Sequence, residues 1–383
     1  IDVPPGDVTV AAYYFPNWGP VATSEWGSLQ RAKPMFDGHK QPKVPAWGYR
    51  NENRPEVMQQ KIDAAADHGL DVFIFDWDFY DEAQMPGNKY LSSALEEGFL
   101  KAPNNDRMKF SLLCNHDLGD IARGAVTPET FELLTDYVIE HYFKHPSYWL
   151  VDGCPYFSIY EVNTFLATFG GDYARAGEAI ARFREKVKAA GFPDLHLNGV
   201  LFGLGGILSQ AVAALGLNST TSYVWIHHNI LPDFPATRYE KAASQYMNSV
   251  RNGGGSNGLE NGAAGIPVPY HLNISMGWDS SPRCGNVTPG EWLRRRDYPF
   301  GAVIVDNTPY LFKKYLAEAK AWTLAKPESE RIVVINSWNE WGEGSYLEPD
   351  TENGMGYLEA VRDVFGSQQA NGTGTAGERT VKN

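Results

Sequence analysis

The chain has 383 residues, with 46 Asp and Glu against 33 Lys and Arg, so its net charge of −13 repels nucleic acid and anionic lipid. No basic run offsets this, since Arg294-Arg295-Arg296 is too short and reads as a solvated helix face. Hydrophobic residues make up 43%, enough for a sizeable core, yet no apolar run approaches the ~20 residues that span a membrane.

Short apolar runs alternate with helical patterns from end to end. Strands are expected at residues 8–15, 71–77, 109–115, 156–160, 196–202, 221–226, 268–275 and 332–338. Helices are expected at 55–68, 128–143, 174–190, 239–252 and 309–324, each bounded by Pro, Gly or Asp. Repeated strand–helix units imply a parallel sheet, and eight of them favour a closed (β/α)₈ TIM barrel over an open doubly wound sheet. No Gly-x-Gly-x-x-Gly follows the first strand, which weakens a dinucleotide-binding reading. Residues 1–365 are expected to form one catalytic domain with extended loops on its working face. Residues 366–383 are Gly-, Ser-, Thr- and Gln-rich and are expected to be a flexible tail.

In such a barrel the C-terminal strand ends face one cavity. The first strand leads into Tyr13, Tyr14 and Trp18, the second into Asp76-Trp77-Asp78, and the third into Asn115-His116. The fourth ends in Tyr160-Glu161, the sixth carries Trp225 and His227, and the seventh leads into Trp278-Asp279. The eighth opens into Trp338-Asn339-Glu340-Trp341-Gly342-Glu343. Acids, amides, histidines and indoles converging on one mouth describe a polar, aromatic-walled sugar site.

Two glutamates three residues apart after a buried strand make the sharpest signal. Glu340 and Glu343 can face one cavity from a turn, and a pair of carboxyls is what hydrolysis of a glycosidic bond uses. The plain alternative is a loop whose acids form ion pairs with neighbours. Asp76 and Asp78 also suit helix caps, and His116 suits a core position. His227-His228 point apart on a strand and no third ligand is evident, so neither a metal nor a cofactor is expected. Cys114, Cys154 and Cys284 form neither a disulfide framework nor a metal spacing, although one bridge plus a free thiol is open.

The stretch Ile335-Asn336-Ser337-Trp338-Asn339-Glu340-Trp341-Gly342-Glu343-Gly344-Ser345-Tyr346-Leu347-Glu348-Pro349-Asp350 resembles the hallmark of WbsX-like proteins, which are grouped with the endo-α-mannosidase-like glycoside hydrolases. Ala12-Tyr13-Tyr14-Phe15-Pro16, His68-Gly69-Leu70-Asp71, His145-Pro146-Ser147-Tyr148-Trp149 with Asp152-Gly153, and Gly277-Trp278-Asp279 with Pro282-Arg283 agree in order. The resemblance implies a (β/α)₈ barrel with a glycosidase-like centre. It implies that Glu340 acts on the sugar's own 2-hydroxyl, and that Glu343 protonates the leaving oxygen and then activates water. Configuration is then retained through an anhydro-sugar. Gly342 departs from the mannosidase pattern, which has His there, so the glutamate roles carry over better than the sugar.

The expected protein is therefore a monomeric hydrolase of a polysaccharide or glycan, with no nucleic acid partner and no membrane insertion. A start at Ile1 fits a mature form without its signal peptide or a trimmed chain, and a secreted, periplasmic or cell-surface location is expected. Two alternatives stand beside it. One is a glycosyltransferase of surface-polysaccharide synthesis, for which Asp76-Trp77-Asp78 has the Asp-x-Asp form. The other is a non-catalytic carbohydrate-binding barrel.

Overall fold

Eight strands form a closed parallel barrel, seven of them built on Val, Ile, Leu or aromatic residues and the sixth polar. The computed structural model describes residues 1–366. The barrel strands are β1 (Thr9–Tyr14), β2 (Val72–Phe79), β3 (Lys109–Cys114), β4 (Cys154–Ile159), β5 (His196–Val200), β6 (Ser219–Thr221), β7 (Tyr270–Ser275) and β8 (Ile332–Asn336). Each pairs in parallel with its sequence neighbour, and β1 closes the ring by pairing with both β2 and β8. Ala11 faces Val72, Thr9 faces Ile332 and Leu272 faces Val333 across these seams. Strands buried on both faces read as continuous apolar runs, which is why the sequence exposes them.

Helices wrap the outside: α1 (Pro55–Asp67), α2 (Pro128–Val138), α3 (Tyr173–Ala189), α4 (Leu208–Leu215), α5 (Tyr239–Asn252), α6 (Pro309–Leu324) and α7 (Gly356–Phe365). Their starts follow side-chain chemistry. Thr127 accepts from the Thr130 amide before α2, Asp172 accepts from the Ala174 and Arg175 amides before α3, and Thr308 accepts from the Leu311 amide before α6. Gly216 ends α4 at φ 61°, a left-handed position open to glycine without strain.

All eight expected strands exist, with one displaced. The sixth ends at Thr221, and Trp225–His227 forms a short turn beyond it. Helices α4 and α7 were not expected. The expected tail lies outside the described residues except for Gly366. Among the described residues no helix is long and apolar enough to cross a membrane.

Candidate active site

Alternation along β2 sorts the residues at the barrel mouth. Asp76 lies on the inner face beside Tyr223, while Trp77 points out to the helix layer, where its Nε1 donates to Tyr142 Oη at 3.2 Å. The turn after β8 brings Glu340 and Glu343 to the same inner mouth. The Glu340 amide donates to Ser337 Oγ at 2.8 Å, and Ser337 Oγ donates to the Ser345 carbonyl, which fixes this turn.

Arg283, on the loop after β7, joins the two acids. Its Nη2 donates to Glu340 Oε1 at 2.8 Å and its Nη1 to Glu343 Oε1 at 2.5 Å. Its Nε donates to Glu25 Oε2 at 3.1 Å, so three carboxylates share one guanidinium. Tyr298 Oη donates to Glu343 Oε1 at 2.9 Å. Tyr223 Oη lies 3.4 Å from Glu340 Oε2 and 3.5 Å from Asp76 Oδ2.

Burial pushes Glu340 well above the ordinary carboxylate range, with Arg283 opposing the shift and Glu343 adding to it. Burial also raises Glu343, but Arg283 and the Tyr298 hydroxyl both favour its charged form. The two acids titrate as a unit, and the resting contacts favour its proton on Glu340. Burial, reinforced by the charge of Glu343, lifts Asp76 to about 8, and Asp76 Oδ1 is buried without a hydrogen-bond partner. Burial, with Asp76 beside it, also raises Asp78, which accepts from the Asn115 amide at 3.0 Å.

Aromatic rings line the same mouth. Tyr13 packs 4.6 Å from Tyr223, Tyr160 lies 5.1 Å from Tyr223, and His227 stacks on Phe202 at 4.0 Å. Burial, helped by neighbouring His228, lowers His227 to about 3, so its ring is neutral. Trp278 sits 6.3 Å from the exposed Tyr298 ring.

The other residues expected at the site have different partners. Tyr14 donates to Glu52 at 2.6 Å and stacks on Phe75. Trp18 donates to the Asn339 carbonyl and packs on Trp26. Trp225 packs between Tyr239 and Tyr246 of α5. Trp338 packs on Phe73, and Trp341 stacks on Tyr346 at 3.7 Å. Asn339 bonds the Phe15 amide and Glu52. Asp279 pairs with His39 and Gln41, each at 2.8 Å, and so anchors a loop. These seven side chains build the core and the supports rather than the cavity wall; for Tyr14 the cause is strand alternation, which turns it away from inward-facing Tyr13.

His116 and Glu161 lie beside a separate small pocket between the barrel and its outer helices, lined also by Phe131, Phe157 and Phe165. The His116 ring accepts from the Phe79 amide, and burial lowers it to about 4. Glu161 accepts from Thr164 at 2.6 Å. Among the described residues no group of His, Cys, Asp and Glu is placed to hold a metal ion, and the three cysteines are unpaired.

Sequence reasoning missed Arg283, Glu25, Tyr298 and Tyr223 as site residues. Arg283 alone carried a signal, as a member of the Pro282-Arg283 segment of the resemblance.

The chain is similar to an endo-α-mannosidase of glycoside hydrolase family 99 from Bacteroides thetaiotaomicron, at 17% identity over 92% of this chain and 95% of that one, with a TM-score of 0.55. It is similar to a protein described as glycoside hydrolase-like, at 15% identity over 95% of this chain and 96% of that one, with a TM-score of 0.60. Both likenesses concern the barrel fold. An uncharacterized protein, WxcX, from Xanthomonas campestris pv. campestris is 23% identical over 93% of this chain. The match covers 49% of that relative, so the chain spans about half its length. Residues 16–361 match the family described as Glycosyltransferase WbsX, and the chain belongs to that family.

Proposed function

We propose that this chain is a glycoside hydrolase that cleaves a polysaccharide or glycan with Glu340 and Glu343 as its acid–base pair. The observation that carries this is the shared guanidinium. Arg283 holds both carboxyls side by side at the barrel mouth, buried yet facing a ring of tyrosines. Burial raises the proton affinity of such groups, which acid–base work uses. The fold it shares with an endo-α-mannosidase supports the same conclusion.

Glu340 takes the proton of the sugar 2-hydroxyl, with Tyr223 beside its second oxygen, so the proton the pair holds on Glu340 at rest must first pass to Glu343. Glu343 stands nearer solvent, where a leaving oxygen and later a water arrive. At rest Arg283 and Tyr298 both favour its ionised form, so its loading as an acid requires one contact to open. Tyr298 is 59% exposed, and a sugar ring entering beside it can take its place. The 2-hydroxyl route gives retention through an anhydro-sugar that Glu343 opens with water.

The test is product analysis on a panel of oligosaccharides, with the anomeric form of the first product followed by NMR. Hydrolysis with retention supports the proposal. A second reading, sugar transfer, is favoured by the name of the family. It predicts turnover of a nucleotide sugar with an acceptor and no hydrolysis of the panel.

A further inference from the structure

Beneath the turn that carries the two acids lies a buried ionic cluster that the proposed chemistry does not use. Lys61 of α1 is 4% exposed, and its Nζ sits 2.7 Å from Glu52 Oε2 and 2.7 Å from Glu348 Oε1. Tyr14 Oη completes its surroundings at 3.2 Å. Glu52 comes from the long loop after β1 and Glu348 from the loop after β8, so one lysine ties two loops of the working face to one outer helix.

Each acid then grips a residue next to Glu340. Glu52 accepts from Asn339 Nδ2 at 3.3 Å and from the Trp18 amide at 3.0 Å. Glu348 Oε2 accepts from Trp341 Nε1 at 2.7 Å, and the same indole stacks on Tyr346. Asn339 and Trp341 flank Glu340 directly, and Trp341 precedes Glu343 by two residues. Two charge-assisted bonds thus hold the chain on both sides of the first acid.

Isolated burial of three charges is costly, and partnered burial is often no better for stability than apolar packing. Retention of such a cluster is explained when it sets geometry. We propose that Glu52, Lys61 and Glu348 form a brace of positioning residues that fixes the Asn339–Glu343 turn and so aims both acids. This rests on the hydrolase reading for its catalytic consequence and on the contacts alone for its structural one.

The experiment compares Glu348→Leu, which removes both bonds of that acid, with Glu348→Gln, which keeps an acceptor for the indole. Trp341→Phe, which keeps the ring on Tyr346 but loses the N–H, serves if Glu348→Leu does not fold. Amide hydrogen exchange is followed by mass spectrometry and turnover on a cleaved glycan. Expected is faster exchange at residues 338–344 with β3 to β5 unchanged. The loss in kcat is on the order of tenfold to a hundredfold, with KM within about twofold, as small misplacements of reacting groups produce. Glu348→Gln recovers most of it. Wild-type exchange at 338–344 in the folded variants overturns the brace, as does faster exchange with kcat unchanged. Glu343→Gln in the same assay keeps the two ideas apart: full activity there removes the acid assignment, while the exchange rates still decide the brace.

Discussion

Arg283 Nη1 lies 2.5 Å from Glu343 Oε1, and the other arm of the same guanidinium holds Glu340. One cation thus serves both acids, with Glu25 as a third partner. Replacing Arg283 by Met leaves these carboxyls buried without their counter-charge. Breaking such a group is expected to cost roughly 3–5 kcal/mol. The loss should be largest near pH 7 and smaller toward pH 4, where the acids protonate and no longer need the cation. Thermal unfolding of Arg283→Met at several pH values checks this; a loss independent of pH contradicts it.

Tyr298 donates to Glu343 and so stabilises its charged form. Removing that hydroxyl in Tyr298→Phe raises the proton affinity of Glu343. If Glu343 is the general acid, the basic limb of the kcat/KM profile moves up by about half to one pH unit. A limb that stays in place or moves down removes Glu343 from that role.

Asp76 is lifted to about 8, chiefly by burial. An unfolded Asp titrates near pH 4, so the folded chain binds the extra proton between about pH 4 and 8. The stability this protonated group contributes is complete below about pH 4 and is lost as pH rises toward 8. Asp76→Asn should flatten this fall in denaturant midpoint. A variant with the wild-type slope shows that Asp76 is ionised in the fold at lower pH than these contacts imply.

Trp77 and Tyr298 are expected to part ways on replacement. Trp77 is fully buried against Phe79 and Tyr142, and Trp77→Ala should cost about 3–5 kcal/mol of stability with KM unchanged in the folded fraction. Tyr298→Ala should leave the melting temperature within a few degrees and raise KM. Calorimetry and steady-state kinetics on both variants decide; a Trp77→Ala protein with wild-type stability and weakened binding returns that indole to the site.

The barrel was legible because its strands are continuous runs of Val, Ile, Leu and Phe between breakers. β6 was displaced because its own residues, Ser219–Thr221, are polar and its successors Tyr223, Val224 and Trp225 look more like a strand. Of those successors, Trp225 fills space between the barrel and α5, while Tyr223 turns into the mouth. Adjacent pairs such as Tyr13 with Tyr14, or Asp76 with Trp77, cannot both face the cavity. Period-two alternation therefore limits each pair to one inward member, but not which one. Arg283, Glu25 and Tyr298 sit on long loops that carry no period at all. Only the folded chain brings them to the glutamates.

The most direct measurement is cleavage of a glycan panel spanning mannose-, rhamnose-, fucose-, galactose- and arabinose-containing substrates, with wild type, Glu340→Gln and Glu343→Gln side by side. The account predicts that wild type cleaves at least one glycan. It predicts that both variants, folded as wild type, lose on the order of a thousandfold or more in kcat. Cleavage retained at near wild-type rate in either variant, or transfer from a nucleotide sugar in place of any cleavage, would contradict it.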